Sequence, residues 1–351
     1  MKSNLKYYEN LDGLRGIAAL MVLVFHFFGY PLSDYITNDG FPYRKVTEFG
    51  QHGVSLFFVL SGFVITRILL KNKGENNYFR NFYWRRALRI FPLYYGFLLF
   101  WYYVKPFILA EPMKPFILQV PFYLYLQNFE WLTGFLQAGP PHFWTLAVEE
   151  HFYLFWPLVV FLVPTRHLKP LIFILILLII PLKFYFISKG ISVNKTTFTR
   201  IDQIMLGALL AVFEFNGSLF GRKEYFEKVF RWTLIGIIPL AVVVYVASKF
   251  MPDVKEVFKY NLLGLIFFAL IGLLIIRPDF KINNFLKSKV LQYLGKISYG
   301  IYVWHLFVLL FFEKYFTFKI ILLDLIMCMI TTIIIAHISF YYYEKKFLRF
   351  K

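Results

Sequence analysis

Eleven apolar runs follow one another along the chain, near residues 11–30, 53–70, 91–105, 116–130, 145–163, 171–188, 200–215, 232–248, 260–276, 293–312 and 320–340. Most approach or reach the roughly 20 residues that a helix needs to cross a bilayer. In hydrocarbon every backbone N–H and C=O must find a partner within the protein, so only helices or a closed barrel can span. Continuous apolar stretches, without strict alternation, select helices. The chain is therefore expected to be all-α, a polytopic integral membrane protein, with residues 1–351 forming a single membrane-embedded domain. Hydrophobic residues make up 59% of it and charged residues only 17%, which no water-soluble domain needs. The first run is too long for a cleavable signal peptide and no small-residue cleavage site follows it.

Charge sets the orientation. The formal net charge of +18 would suggest nucleic acid in a soluble protein, but basic loops are what hold a membrane protein's cytoplasmic side in place. No nucleic-acid partner is expected. The run at 116–130 contains Gln119, Pro121 and Gln127 and is short for a span. Leaving it as a re-entrant or interfacial segment, with the N-terminus inside, places 22 Lys and Arg residues in the inner segments and 11 in the outer ones. Counting it as a span gives 15 inside and 18 outside. The positive-inside rule thus selects about ten transmembrane helices with both termini cytoplasmic. Cys328 is the single cysteine, which excludes an intrachain disulfide and a cysteine metal cluster. The sequence shows no internal repeat of the kind that builds many transporters.

Ionisable groups inside such runs are expensive and mark candidate sites. "LRGIAALMVLVFH" begins with Arg15 and Gly16 just after its first leucine and ends on His26. Eleven residues of helix turn by about 1100°, so Arg15 and His26 share a face, roughly 16 Å apart along the axis. A snorkelling arginine and a hydrogen-bonding histidine would also account for the pair. In "FWTLAVEEHFYLFWP", Glu149, Glu150 and His151 enter the membrane from outside, at a depth comparable to His26. A carboxylate beside an imidazole holds its tautomer and stabilises the cation formed on proton uptake. Glu149 and Glu150 point about 100° apart, so one at most faces His26. The alternative is an acidic pair at the headgroups.

"NFYWRRALRIFPLYY" sets Arg85, Arg86 and Arg89 on the inner rim, with Arg86 and Arg89 one turn apart. Such arginines anchor topology or bind anionic lipid, and two guanidiniums on one face also suit a phosphate-bearing ligand. Arg200 and Asp202, in "TRIDQIMLGALLA", point too far apart on a helix to pair, so each needs another partner. His305, in "GKISYGIYVWHLFV", suits packing or a substrate channel equally. Ser61 lacks the context of a nucleophile and is expected to bond its own backbone or to let helices approach. His52, His142 and His167 fall in loops and carry little information.

Six segments in order, "LDGLRGIAALMVLVFH", "GVSLFFVLSGFVIT", "RRALRIFPLYY", "FWTLAVEEHFYLFWP", "TRIDQIMLGALLA" and "GKISYGIYVWHLF", resemble the acyltransferase-3 family of membrane acyltransferases across residues 8–312. The resemblance implies transfer of an acyl group, commonly acetyl, from cytoplasmic acyl-CoA to a hydroxyl of an extracytoplasmic or lipid-linked carbohydrate. It implies a multi-pass protein of the cell (inner) membrane in contact with lipid, with no permanently bound cofactor and no metal. The family's basic-then-histidine motif falls on Arg15 and His26, its Arg-x-x-Arg motif on Arg86 and Arg89 with Arg85 adjacent, and its acidic residue on Glu149. Some members carry an SGNH-type esterase domain. None is expected here, so any such step would fall to a separate SGNH-type or polysaccharide-assembly partner.

On this reading His26 is a general base on the sugar hydroxyl, or secondarily a transient acyl carrier, and Glu149 orients it. Arg15, Arg85, Arg86 and Arg89 hold the acyl-CoA, while Glu150, Arg200, Asp202 and His305 line the substrate. Two other functions fit the bare residues. One is a transporter or exporter with His26, Glu149 and Asp202 as a proton relay; the other is a non-catalytic organiser of polysaccharide assembly.

Overall fold

The structure is a computed structural model that describes residues 6–29, 49–129, 138–316, 318 and 320–350. Among the described residues every regular element is a helix: α1 (Glu9–Gly29), α2 (His52–Asn72), α3 (Tyr78–Leu99), a π-helical turn (Phe100–Val104), α4 (Lys105–Ile108), α5 (Phe116–Tyr123), α6 (Trp144–Leu162), α7 (Thr165–Ser188), α8 (Thr197–Phe215), α9 (Ser218–Gly221), α10 (Lys223–Ala247), α11 (Pro252–Ile276), α12 (Lys281–Leu286), α13 (Lys289–Lys296), α14 (Ser298–Tyr315), α15 (Ile321–Ile338), a second π-helical turn (Ser339–Glu344) and α16 (Lys345–Leu348).

Among the described residues seven helices are long and apolar enough to cross a membrane, or eight if the bent pair α13–α14 is one span. The expected runs fall on helical residues, but 91–105 covers the second half of α3 and the π-helical turn, and 293–312 is divided between α13 and α14. Two of the helices, α3 and α8, are set apart from the rest by charge: α3 carries Arg80, Arg85, Arg86 and Arg89, and α8 carries Arg200, Asp202 and Glu214. At 116–130, α5 has eight residues, a rise of about 12 Å against the roughly 30 Å of a hydrocarbon core. Residue 130 lies outside the described residues.

Packing divides the chain into two compact units, Met1–Leu11, Ser55–Phe79 and Trp144–Phe285 in the first, and Asp12–Val54, Arg80–Phe143 and Leu286–Lys351 in the second. In the first unit α8 is the hub, buried along most of its length, its polar residues included. It packs against α6, α7 and α11, while α10 lies on α11. Gly62 of α2 and Gly207 of α8 face each other so closely that a Cβ on either would collide with the opposite backbone, at the carbonyls of Ile204 and Val59. Small residues that let backbones touch are the usual means of helix association in lipid. Just before α1, the Tyr8 hydroxyl donates to Glu214 (2.6 Å), which also pairs with Arg67. Burial raises the Tyr8 phenol above its ordinary range, and the bond to Glu214 adds to this.

In the second unit α1 lies against Leu286 and α13. A Cβ at Gly13 would meet the Leu286 carbonyl, and one at Gly295 the Asp12 carbonyl. At Ile297 the path turns: α13 and α14 are bent by 72°, and across the break the Ser298 hydroxyl donates to the Gly295 carbonyl (2.8 Å). Beyond the bend, α14 runs alongside α15. The segment after α5 is tied to α3 by polar and ring contacts. Tyr94 donates to the Phe122 carbonyl (2.7 Å), and Gln127 donates to the Tyr94 hydroxyl (3.2 Å) and the Phe143 carbonyl (2.9 Å). The Tyr94 ring stacks on Tyr125 and Phe143.

Candidate functional site

Three histidines converge in the second unit. His26 lies near the C-terminal end of α1, His142 in the short 3-10 turn Pro141–Phe143, and His305 midway along α14. Their ring centroids are 4.9 Å (His26–His305), 4.8 Å (His142–His305) and 6.4 Å (His26–His142) apart. His305 is 0% exposed and His142 2%, so water cannot solvate them and their hydrogen bonds must be internal.

The carbonyls around them decide the tautomers. His305 Nδ1 lies 2.7 Å from the Tyr302 carbonyl. A carbonyl only accepts, so Nδ1 carries the hydrogen and the neutral ring presents its Nε2 lone pair. That lone pair lies 3.1 Å from His26 Nδ1, which therefore donates, sharing its hydrogen with the Val22 carbonyl one turn back at 3.0 Å. With Nδ1 protonated, the lone pair of neutral His26 sits on Nε2. His142 donates from Nε2 to the Val303 carbonyl (3.3 Å), and the Tyr302 hydroxyl donates to the His142 carbonyl (2.7 Å). One turn of α14 thus holds all three rings. Among the described residues no group of three or more His, Cys, Asp or Glu is arranged to hold a metal ion; these ring nitrogens address carbonyls and one another.

Arg15 is on α1 with His26, half-buried and paired with Asp12 at 3.2 Å. Arg85, Arg86 and Arg89 lie along α3: Arg85 and Arg89 are exposed, while Arg86 is half-buried with its guanidinium 6.0 Å from the Phe82 ring centre.

The remaining expected residues belong to the first unit. Glu149 accepts a short hydrogen bond from the Ser61 hydroxyl (2.5 Å), which in turn accepts from Tyr153 (3.2 Å). Of the two expectations for Ser61, bonding its own backbone or letting helices approach, the first does not hold: its hydroxyl goes to the Glu149 carboxylate, which α6 brings within reach. Each member of the expected His26–Glu149 pair has a hydrogen-bonded partner within its own unit, His305 for one and Ser61 for the other. Glu150 is half-buried on α6, and His151 Nδ1 meets the Thr197 hydroxyl at 2.8 Å.

Arg200 and Asp202 point to different neighbours, as their helical angle requires. Asp202 is 0% exposed and pairs with Lys183 at 2.6 Å; the ammonium also reaches Asn261 Oδ1 (2.7 Å) and the Val257 carbonyl (3.3 Å). Arg200, 1% exposed, lies 3.5 Å over the Tyr260 ring and 5.5 Å from the rings of Phe58 and Trp144. Cation–π contact of this kind strengthens when desolvated.

Sequence reasoning passed over His142 and Lys183. For Lys183 the signal was present, an ammonium within the run "LLIIPLKFYFI", where charge demands a partner. His142 follows the pair Pro140–Pro141, and its approach to α14 is tertiary, so no local pattern announces it.

An all-helical chain with several membrane-length spans and a buried imidazole pair has the build of an integral membrane protein with a polar centre. The chain belongs to the acyltransferase-3 family, whose model, described as an acyltransferase domain, matches residues 8–341. It is similar to a putative peptidoglycan O-acetyltransferase of Bacillus subtilis, 28% identical over 97% of this chain and 55% of that protein. An O-acetyltransferase of Staphylococcus aureus is 30% identical over 89% of this chain and 52% of its own length. For a peptidoglycan O-acetyltransferase of Listeria monocytogenes the values are 29%, 86% and 49%. The chain therefore spans about half the length of the curated relatives it matches. No solved structure matches it.

Proposed function

We propose that this chain is a membrane-embedded O-acetyltransferase that moves an acetyl group from acyl-CoA to a hydroxyl of a peptidoglycan-type carbohydrate. The observation that carries the reading is the tautomer of His26 in a chain of this family: Nδ1–H is committed to His305 and Val22, which puts the basic lone pair on Nε2. His26 Nε2 takes the proton of the sugar hydroxyl as its oxygen attacks the thioester carbonyl carbon. The C–S bond breaks and the CoA thiolate leaves, to be protonated by the imidazolium. His305, accepting from Nδ1–H, stabilises that imidazolium in the manner of the acidic member of a catalytic triad. Arg86 and Arg89, one turn apart on α3, bind the phosphates of the acyl-CoA from the cytoplasmic side, with Arg85 beside them and Arg15 further along α1.

A proton-relay transporter is less well supported, because Asp202, which the relay would need, is held by Lys183. The test is acetyl transfer from labelled acetyl-CoA to peptidoglycan fragments by the purified full chain in lipid nanodiscs. His26→Ala should lower the rate by about 10²–10⁴-fold while membrane insertion stays normal. Transfer by that variant at near the wild-type rate would overturn the assignment.

A further inference from the structure

Five side chains of the second unit gather where α13 meets the end of α15. The 72° bend between α13 and α14 means that, with α14 crossing the bilayer, α13 lies close to the plane of its surface. Lys296, the last residue of α13, is exposed. Its ammonium donates to the Tyr341 hydroxyl in the second π-helical turn (3.3 Å). It stands 5.2 Å from the Tyr341 ring centre and 5.3 Å from that of Phe340. Lys345, at the start of α16, lies over the same Tyr341 ring at 5.5 Å. The His337 ring is 4.6 Å from Tyr341, and its Nδ1 meets the hydroxyl of Tyr293, on α13, at 2.5 Å.

This group can donate several hydrogens and holds no acid to receive them. Neither ammonium has a carboxylate partner among the described residues; Glu344, next to Lys345, is buried and accepts from Ser339 (3.0 Å). The Tyr341 oxygen accepts from Lys296, so its own O–H is left to donate. In the Tyr293–His337 pair one hydrogen is shared, and whichever ring supplies it, the other keeps an N–H or O–H. Two positive charges and two further donors at one exposed spot suit an anion with several oxygens, as a phosphate diester has.

The surface below indicates what carries that phosphate. Ile330, Ile334 and Ile338 are exposed at four-residue intervals on α15. Towards the end of the helix this stripe gives way to His337, Tyr341 and Lys345. From Ile330 to Tyr341 the rise is about 16 Å, close to half of a hydrocarbon core about 30 Å thick. A lipid tail laid along the isoleucines therefore brings its headgroup to the two lysines. The positive-inside rule assigns this end of the chain to the cytoplasm, the side on which anionic lipids attract basic juxtamembrane segments.

We propose that this spot binds one anionic phospholipid, its phosphate held by Lys296, Lys345, Tyr341 and the Tyr293–His337 pair and its tails lying along α15. The bound lipid joins α13 to α15, the elements before and after α14, and so braces the helix that carries His305.

The test is native mass spectrometry of the full chain released from mixed nanodiscs, in which phosphatidylglycerol competes with phosphatidylcholine of the same chain length. The second lipid carries its own cation beside the phosphate. Wild type should retain one phosphatidylglycerol and prefer it by roughly 25-fold, about fivefold for each lysine at the surface. Lys296→Gln combined with Lys345→Gln should abolish the preference, and Tyr341→Phe should lower it in part. Melting in phosphatidylcholine alone checks that each variant is folded. The charge-matched control is Lys289→Gln with Lys346→Gln, two exposed lysines of the same region, which should keep the preference. An equal loss in that control would mean diffuse attraction of the surface to the leaflet and would overturn the site. An unchanged preference in the Lys296 and Lys345 double variant would do the same. Displacement of the lipid by acetyl-CoA or by glycerol phosphate at equal concentration would assign the lysines to the donor or to a free phosphate instead.

Discussion

Replacing His305 separates a base that works alone from a base that works as half of a pair. In the structure His26 Nδ1–H is shared between Val22 and His305, so His305→Ala leaves the tautomer held by the Val22 carbonyl but removes the acceptor that steadies the imidazolium. A hydrogen bond to a charged group is worth about 1.5–3 kcal/mol. At 1.36 kcal/mol per factor of ten, kcat should fall by roughly 10–150-fold, less than the 10²–10⁴-fold expected for His26→Ala. KM for donor and acceptor should barely move. His305→Gln, whose amide oxygen can accept from Nδ1–H, should recover part of the loss, whereas His305→Leu should not. Because the two rings act as a unit, His305→Ala added to His26→Ala should cost little more. The assay is steady-state acetyl transfer in nanodiscs, with thermal stability of each variant measured alongside. A His305→Ala enzyme within twofold of wild type would refute the pairing, as would equal rates for the Gln and Leu variants.

Arg86→Ala and Arg89→Ala should each raise KM for acyl-CoA by about tenfold or more, the loss of a charge-assisted bond, with kcat nearly unchanged; a fall in kcat at constant KM would place these arginines elsewhere. Asp202→Asn strands the Lys183 ammonium at 0% exposure and should destabilise the first unit by about 3–5 kcal/mol, read as a lower melting temperature and poor recovery from the membrane. The double change Lys183→Met with Asp202→Leu should regain most of that, and no recovery would argue against a simple buried pair. Gly207→Val, forcing a side chain against the Val59 carbonyl, should cost on the order of 1–3 kcal/mol, while the same change at exposed Gly221 should be well tolerated in the same melting assay.

The helices were legible because their apolar runs are long and uninterrupted, and hydrocarbon tolerates little else. Arg15 and His26 were legible for the same reason, two ionisable groups in one run, and so was the inability of Arg200 and Asp202 to pair with each other. What periodicity could not reveal is tertiary. The partner of His26 is 279 residues away on α14, and His142 reaches the cluster because two prolines and a 3-10 turn deliver it there. The bend at Ile297 also escaped the reading of 293–312 as one run, since a hydropathy window averages across the single residue that separates α13 from α14. Ser61 looked inert because its carboxylate lies on α6, 88 residues on.

The Lys183–Asp202 pair has a consequence for how the chain is made. Lys183 lies five residues from the end of α7 and Asp202 is the sixth residue of α8; a lone lysine or aspartate carried into hydrocarbon is unfavourable, by about 2.5–3.5 kcal/mol at a helix centre, and the pair removes that cost for both. Joined by the eight residues 189–196 and locked by one ion pair, the two helices can enter the bilayer as a hairpin with the charges already cancelled. If the pair forms during insertion, a spacer placed between α7 and α8 should lower the yield of both helices in the membrane.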